Sequence, residues 1–212
     1  MDDQQRTIRL IMALRRQGIV DARVLSALEH VPRERFVGPG HQDEAYEDKA
    51  LPIACGQTIS QPFVVAFMTQ LLEVGDRMKV LEVGTGSGYQ AAILAKLCRR
   101  LYTIERIRPL LKEAEQRFAA LDIPNITTRH GDGTKGWPEQ APFDRIIVTA
   151  AAPKVPDTLL AQLKTGGILV MPVGDDEGQA LRRVLMTEEG PKEERLLPVR
   201  FVPLMDGVAK EG

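Results

Sequence analysis

One stretch limits the folds open to this chain more than any other. Val80-Leu81-Glu82-Val83 is an apolar run of strand length, Gly84-Thr85-Gly86-Ser87-Gly88 alternates glycine with small polar residues, and Gln90–Leu97 reads as a helix. Strand, glycine turn and helix in succession let the backbone approach a nucleotide-like ligand closely, because glycine tolerates positive φ and carries no Cβ. The start of the helix adds free N–H groups and a partial positive charge at the same point.

The flanking sequence supplies a sheet for that turn. Apolar runs at Arg100–Ile104, Ile126–Arg129, Phe143–Thr149 and Ile168–Val173 alternate with helical patterns at Leu110–Leu121 and Val155–Leu163, the second expected to stop at Gly166-Gly167. Such alternation predicts an α/β fold, a Rossmann-like doubly wound, mostly parallel sheet with helices on both faces. Two later strand-like runs, Ala180–Met186 and Leu196–Val202, flank Glu188-Glu189-Gly190-Pro191, which predicts an antiparallel C-terminal hairpin at one edge. Before the core comes an N-terminal helical extension. One helix is expected over 4–17, with Ile8, Ile11, Met12 and Ile19 apolar and Gly18 as its stop. A second should run from Asp21 as N-cap to about His30, with Val24, Leu25 and Leu28 on one face. Residues 37–62 are irregular, punctuated by glycine and proline, and connections this long are more often functional than decorative. Pro62–Glu73 is again helical, with Gly75 the expected stop. The whole reads as one domain over 1–212, with 1–76 as helical extension and active-site loop and 77–212 as the Rossmann-like core.

Composition narrows the class. With 43% hydrophobic and 27% charged residues a real core can form. A net charge of −1 argues against a broad basic face for nucleic acid. No apolar run approaches the ~20 residues that cross a bilayer. The start, Met1-Asp2-Asp3-Gln4-Gln5, is no signal or transit peptide. Cys55 and Cys98 are far apart and form no CxxC, so a reducing cytoplasm is the simplest home, without disulfide or cysteine-held metal.

The glycine spacing speaks to the ligand. A dinucleotide fingerprint is GxGxxG. Here the third glycine comes one residue early, and Glu82 stands two residues before the first. This Glu-x-Gly-x-Gly-x-Gly form is similar to the signature of S-adenosylmethionine-dependent methyltransferases. The chemistry agrees, since S-adenosylmethionine has no phosphate and carries a sulfonium and an ammonium, beside which an acid is tolerable. Glu82, Gly84, Thr85, Gly86 and Gly88 are the expected cofactor residues of this stretch. Glu105 ends the second strand near the roughly 20-residue offset of a ribose-binding carboxylate; a solvated Glu is the alternative. Asp132, in Gly131-Asp132-Gly133, could take the adenine amino group or form an Asx turn.

Seven segments together carry a closer resemblance: Gly56-Gln57-Thr58-Ile59-Ser60-Gln61-Pro62, Leu81–Tyr89, His130-Gly131-Asp132-Gly133, Ala141-Pro142-Phe143-Asp144, Thr149-Ala150-Ala151-Ala152-Pro153, Gly166-Gly167-Ile168-Leu169 and Arg200-Phe201-Val202-Pro203-Leu204. In this order they resemble the protein-L-isoaspartate O-methyltransferases, over about Ala22 to Leu204. The chain departs from that family's usual Pro-Ile-Gly at Pro52-Ile53-Ala54-Cys55-Gly56. The resemblance implies methyl transfer from S-adenosyl-L-methionine, leaving S-adenosyl-L-homocysteine, to the free carboxylate of L-isoaspartyl residues. The methyl ester then closes to a succinimide without the enzyme, and hydrolysis returns some aspartate. It also implies a catalytic, substrate-contacting serine at Ser60, cofactor contacts at Thr58, Ile59, Gly131, Asp132 and Gly133, and substrate contacts at Arg200, Val202 and Leu204. Isoaspartyl proteins and peptides are the expected partners, met by a cytoplasmic monomer with no membrane or nucleic-acid partner.

The residues suit that reaction. A carboxylate with a pKa near 4 is already ionised at neutral pH, so displacement at a sulfonium methyl needs positioning and no strong base. No His–acid pair stands near the glycine loop. Ser60 can donate to the acceptor carboxylate, or cap the helix that starts at Pro62. Arg200–Leu204 reads as an edge strand whose main chain could pair with a peptide, or as an ordinary terminal strand. His130 and Trp137 read as packing, Trp137 over the adenine side. An RNA methyltransferase would show a polar tetrapeptide after the fourth strand, where this chain has Thr149-Ala150-Ala151-Ala152-Pro153. An NAD enzyme does not fit the glycine spacing. A non-catalytic binding module predicts damage to the loop, which is intact.

Overall fold

The computed structural model describes residues 2–209. Its first two helices start where carboxylates satisfy their free N–H groups. Asp2 accepts from Gln5 N–H at the head of α1 (Asp3–Arg16), and Asp21 accepts from Arg23 and Val24 N–H at the head of α2 (Ala22–His30). The buried stripe of α1 is Thr7, Leu10, Ile11 and Leu14. Two expected core positions therefore face outward: Ile8 and Met12 are 46% and 50% exposed. They lie one residue, or about 100°, round the helix from Thr7 and Ile11.

Short 3-10 turns follow, and then a small antiparallel hairpin of β1 (Leu51–Pro52) and β2 (Thr58–Ile59). Helix α3 (Pro62–Leu72) does not stop at Gly75. The left-handed residue is Glu73, with φ 50. Tertiary contacts hold this unusual choice: the Glu73 carboxylate pairs with Arg183 at 2.7 Å, and its carbonyl accepts from Arg145 Nε at 3.2 Å.

The main sheet comprises β3 (Lys79–Val83), β4 (Arg100–Glu105), β5 (Ile126–His130), β6 (Phe143–Val148), β7 (Leu163–Asp175), β8 (Gly178–Thr187) and β9 (Gly190–Val199). Its order is β5-β4-β3-β6-β7-β8-β9. The pairs from β5 through β7 are parallel, and β7–β8 and β8–β9 are antiparallel. Helices α4 (Tyr89–Ala95), α5 (Arg108–Ala120) and α6 (Asp157–Leu160) lie in the crossovers. Alternate strand residues feed two cores. Val80, Leu101, Ile147 and Val170 pack with α1 to α5, whereas Leu81, Ile104, Ile146, Val148 and Leu169 form a second core closed by Leu159, Leu160 and Trp137. Helices cover both faces, but unequally, since the second face has only α6 and 3-10 turns.

Three boundaries differ from expectation. The helix expected over Val155–Leu163 shrinks to Asp157–Leu160, and Gly166-Gly167 lies inside β7. The strand begins early because Leu163 pairs with Phe143, and a register shift then brings Ile168 opposite Arg145. The hairpin is tighter than expected. Glu188 and Glu189 alone separate β8 from β9, so β9 ends at Val199 and Arg200–Leu204 lies beyond it.

Asp21→Ala removes the α2 cap and is expected to cost about 1 kcal/mol, lowering Tm by roughly 2–4 °C. A thermal melt unchanged from wild type would show that the cap contributes nothing.

Candidate active site

The sheet reverses its strand order between β3 and β6, and ligands of such sheets bind beyond the carboxyl ends at that point. Here β3 and β6 run level, with Val83 opposite Val148, so Gly84 and Thr149 emerge side by side. Gly84 has φ +98, and a Cβ on it would stand 2.4 Å from Thr149 Oγ1. That hydroxyl donates to the Gly84 carbonyl at 2.7 Å, and Gly84 N–H donates to Ile104 O at 2.9 Å. The glycine thus allows two strand ends to meet and fixes the start of the loop.

Glu105 fixes its middle. The carboxylate is 5% exposed and accepts Gly86 N–H through Oε2 and Ile107 N–H through Oε1, both at 2.9 Å. Gly88 closes the loop with φ +90 as N-cap of α4, where a Cβ would stand 2.8 Å from the Phe118 ring. It is a packing glycine, outside the cavity wall.

The expected role of Glu82 needs correction. It is fully buried beneath the loop and does not line the cavity. Its Oε2 lies 2.5 Å from Thr103 Oγ1, which in turn lies 2.6 Å from Thr85 Oγ1. Burial pushes its pKa up to about 8, against a small lowering by the Thr103 hydroxyl and with a further push from the charge of Glu105. Oε1 has no partner among the described residues, an arrangement far less costly for a neutral carboxyl than for a carboxylate. Glu82 therefore supports the loop as a neutral acid and places no charge beside a sulfonium.

The opposite wall comes from the β1–β2 hairpin. Ile53 Cδ1 lies 4.0 Å from where a Gly86 Cβ would be, so the hairpin covers the loop. Gly56, Gln57, Thr58, Ile59 and Ser60 line the cavity below it. Ser60 is not the cap of α3. The N-cap is Gln61, without a side-chain bond, and Phe63 N–H donates to Asp48 Oδ1 at 2.8 Å. The structural alternative for Ser60 is thereby filled by another residue.

The third wall is the chain after β9. Arg200–Leu204 is no ladder strand. Ala151 N–H donates to Val202 O at 2.8 Å and Leu204 N–H to Ala151 O at 2.7 Å. On its other side the Gln179 amide donates to Phe201 O and accepts Phe201 N–H, at 3.1 and 2.7 Å. Val202, Pro203, Leu204 and Met205 face the cavity, while Arg200 is exposed and does not.

The three walls enclose about 340 Å³, a volume that suits a small ligand. Of the residues expected at the site, Thr58, Ile59, Ser60, Gly84, Thr85, Gly86, Glu105, Gly133, Val202 and Leu204 come together there. Gly131 and Asp132 lie outside the lining. Asp132 Oδ1 accepts from Thr134 N–H and Oγ1, the Asx-type turn that was the alternative. Burial opposes ionisation of Asp132, but hydrogen bonds from Thr134 and the Gly207 N–H outweigh it and lower its pKa. Trp137 packs edge-on against Tyr102 in the second core, not over the cavity. His130 Nε2 bonds the Arg106 carbonyl, a packing role. Thr149, Gln90 and Met205 also line the site and were not anticipated. Thr149 was findable, because it directly follows the strand at the switch point.

Comparison with known proteins places relatives over nearly the whole chain. The family model described as protein-L-isoaspartate(D-aspartate) O-methyltransferase (PCMT) matches residues 5–209. A protein-L-isoaspartate O-methyltransferase of Parvibaculum lavamentivorans is 64% identical, the match covering 100% of this chain and 97% of that one. One from Paramagnetospirillum magneticum is 61% identical, over 98% of each chain. A solved structure from Plasmodium falciparum, described as a PCMT in complex with S-adenosyl-L-homocysteine, superposes with TM-score 0.82 at 26% identity, covering 97% of this chain and 99% of that one.

The raised pKa of Glu82 sets a pH dependence with a definite sign. The folded protein keeps a proton that the unfolded chain releases above its ordinary carboxyl pKa. This stabilisation is complete at low pH and is lost as pH rises towards about 8. Glu82→Gln cannot ionise. Its Tm relative to wild type should rise by roughly 5–10 °C between pH 5 and pH 8 and then level off. A difference independent of pH would refute a neutral Glu82.

Proposed function

The chain belongs to the protein-L-isoaspartate(D-aspartate) O-methyltransferase family, and on that premise we propose that it repairs damaged proteins by methylating the free carboxylate of their L-isoaspartyl residues, with S-adenosyl-L-methionine as donor. The observation that carries the reading is the meeting, in one cavity, of Ser60, the glycine loop and Glu105, with the capping of α3 left to Asp48.

The walls fit this donor. Glu105 occupies the Gly86 N–H that a pyrophosphate would need and repels an anion, yet offers a ribose its two acceptor oxygens. Gly86, whose Cβ position is open to within 4.0 Å, lets the backbone come close to the ligand, and Gly84, Thr85, Gly133 and Ile59 complete its surroundings. When bound, the donor supplies a methyl group whose C–S bond breaks, the electron pair leaving with sulfur, as a carboxylate oxygen bonds to carbon.

The chain's own residues position the acceptor. Its carboxylate is ionised at neutral pH, so no group here has to remove a proton. Ser60 Oγ donates to one carboxylate oxygen and leaves the other facing the donor. Val202 and Leu204 lie against the peptide beside its isoaspartyl linkage, and exposed Arg200 meets the chain further out. In isoaspartate the methylene lies in the main chain and the free α-carboxylate sits directly on Cα, one bond closer to the backbone than an aspartyl side-chain carboxylate. A wall that holds the main chain therefore presents the two acceptors at different distances from the donor. The same reading takes 1–212 as one methyltransferase domain that works as a cytoplasmic monomer. No helix among the described residues is long and apolar enough to cross a membrane.

Transfer of labelled methyl to matched isoaspartyl and aspartyl peptides tests the activity. Label is expected on the isoaspartyl peptide alone, and equal labelling or none would overturn the reading. Ser60→Ala should lower kcat roughly 10- to 100-fold, with cofactor affinity unchanged. An unaltered kcat/KM would remove Ser60 from the mechanism.

A further inference from the structure

Arg33 has no exposed surface at all, which is rare for an arginine. Its Nε donates to Ala45 O at 2.8 Å, and its Nη2 donates to Ser60 O at 2.8 Å and to Lys49 O at 3.4 Å. The guanidinium carbon lies 4.7 Å from the centre of the Tyr89 ring. Nη1 has no partner among the described residues. Burial lowers the pKa of the group, against the favourable influence of Tyr89 and Asp48, yet a guanidinium stays charged. A cation held this way, with carbonyls and a ring face around it and no direct carboxylate, is unfavourable by itself and persists only where its geometry is useful.

The partners show what the geometry is good for. Ala45, Lys49 and Ser60 belong to the irregular connection that ends at the acceptor wall. Tyr89 opens α4 immediately after Gly88 and lines the cavity. One side chain thus joins the serine's main chain to the first turn behind the glycine loop. It adds a polar link to the packing of Phe36 against the Tyr89 ring and to the Gln90–Thr69 hydrogen bond that tie the same elements together. A planar fork donates to separate carbonyls in fixed directions while its face lies over a ring, a geometry that a lysine ammonium does not reproduce.

We propose that Arg33 is a positioning residue for methyl transfer: by clamping the Ser60 carbonyl to the Tyr89 turn, it sets the place of Ser60 Oγ relative to the donor. This rests on the role proposed above for Ser60. Arg33 itself touches neither donor nor acceptor.

A double-mutant cycle of Arg33→Lys and Ser60→Ala tests it, using an isoaspartyl peptide at saturating donor. Arg33→Lys alone is expected to lower kcat about 10-fold or more, with S-adenosyl-L-homocysteine affinity within about threefold of wild type. In the Ser60→Ala background the same change should cost less than about twofold, because the hydroxyl it positions is gone. Equal losses in both backgrounds, or an Arg33→Lys enzyme as fast as wild type, would overturn the proposal. If Arg33→Lys melts below the assay temperature, Arg33→Gln goes through the same cycle with the same two outcomes, since its neutral amide relieves the buried charge. A wild-type enzyme inactive on the peptide would instead refute the repair activity, so the two failures are distinct.

Discussion

Two parallel strands lie side by side while their crossovers leave in opposite directions, and the site depends on that arrangement. The crossovers after β3 and β4 pack with the large helical face, and the chain around β6 turns to the other. The gap between them at the carboxyl ends is closed by the β1–β2 hairpin and the chain after β9. Because Val83 and Val148 are in register, the next residues collide unless one lacks a side chain, and Gly84 does. The Thr149 hydroxyl then locks the two ends together. Ala151, two residues further on, holds the chain after β9 through Val202 and Leu204. The glycine-loop wall and the wall after β9 are therefore both anchored on the residues just past β6, which couples their spacing.

The polar groups around this gap divide the work by depth. Glu82, deepest, is neutral and stiffens the loop through two threonine hydroxyls. Glu105, at the wall, is tied to main-chain N–H groups on both sides and has a fixed orientation before any ligand arrives. Arg33 sits behind the acceptor loop with its charge shielded from water. No residue in this set has the surroundings of a strong base, as expected where the acceptor arrives already ionised. Rigid placement is what such a reaction asks of a protein.

Much of this could be read from the residues, for reasons that also explain what could not. Gly84, Gly86 and Glu105 were legible because a strand, a glycine turn and an acid at a set distance follow from local geometry. The caps at Asp21 and the span of β3 to β6 were legible for the same reason. Glu82 was misread because sequence distance cannot tell a residue facing the cavity from one facing the core, and in a strand the two alternate. The span of α6 and β7 was missed because Leu163 answers to Phe143, a partner set by tertiary register. Ser60 was ambiguous on its own; the competitor that settles its capping, Asp48, lies in a loop no local rule connects to α3. Arg33 gave no sign at all, since charged residues next to Pro32 read as surface.

The outermost strand has a consequence for an enzyme whose substrates are damaged chains. Extended backbone in such a chain would pair readily with any open sheet edge. β9 is such an edge, but Lys192, Glu193, Glu194 and Arg195 stand exposed along it, with prolines at 191 and 198 withholding two N–H groups. β9 therefore offers little to a passing strand. Charge and proline along this strand guard the sheet against being extended by the backbone of another chain.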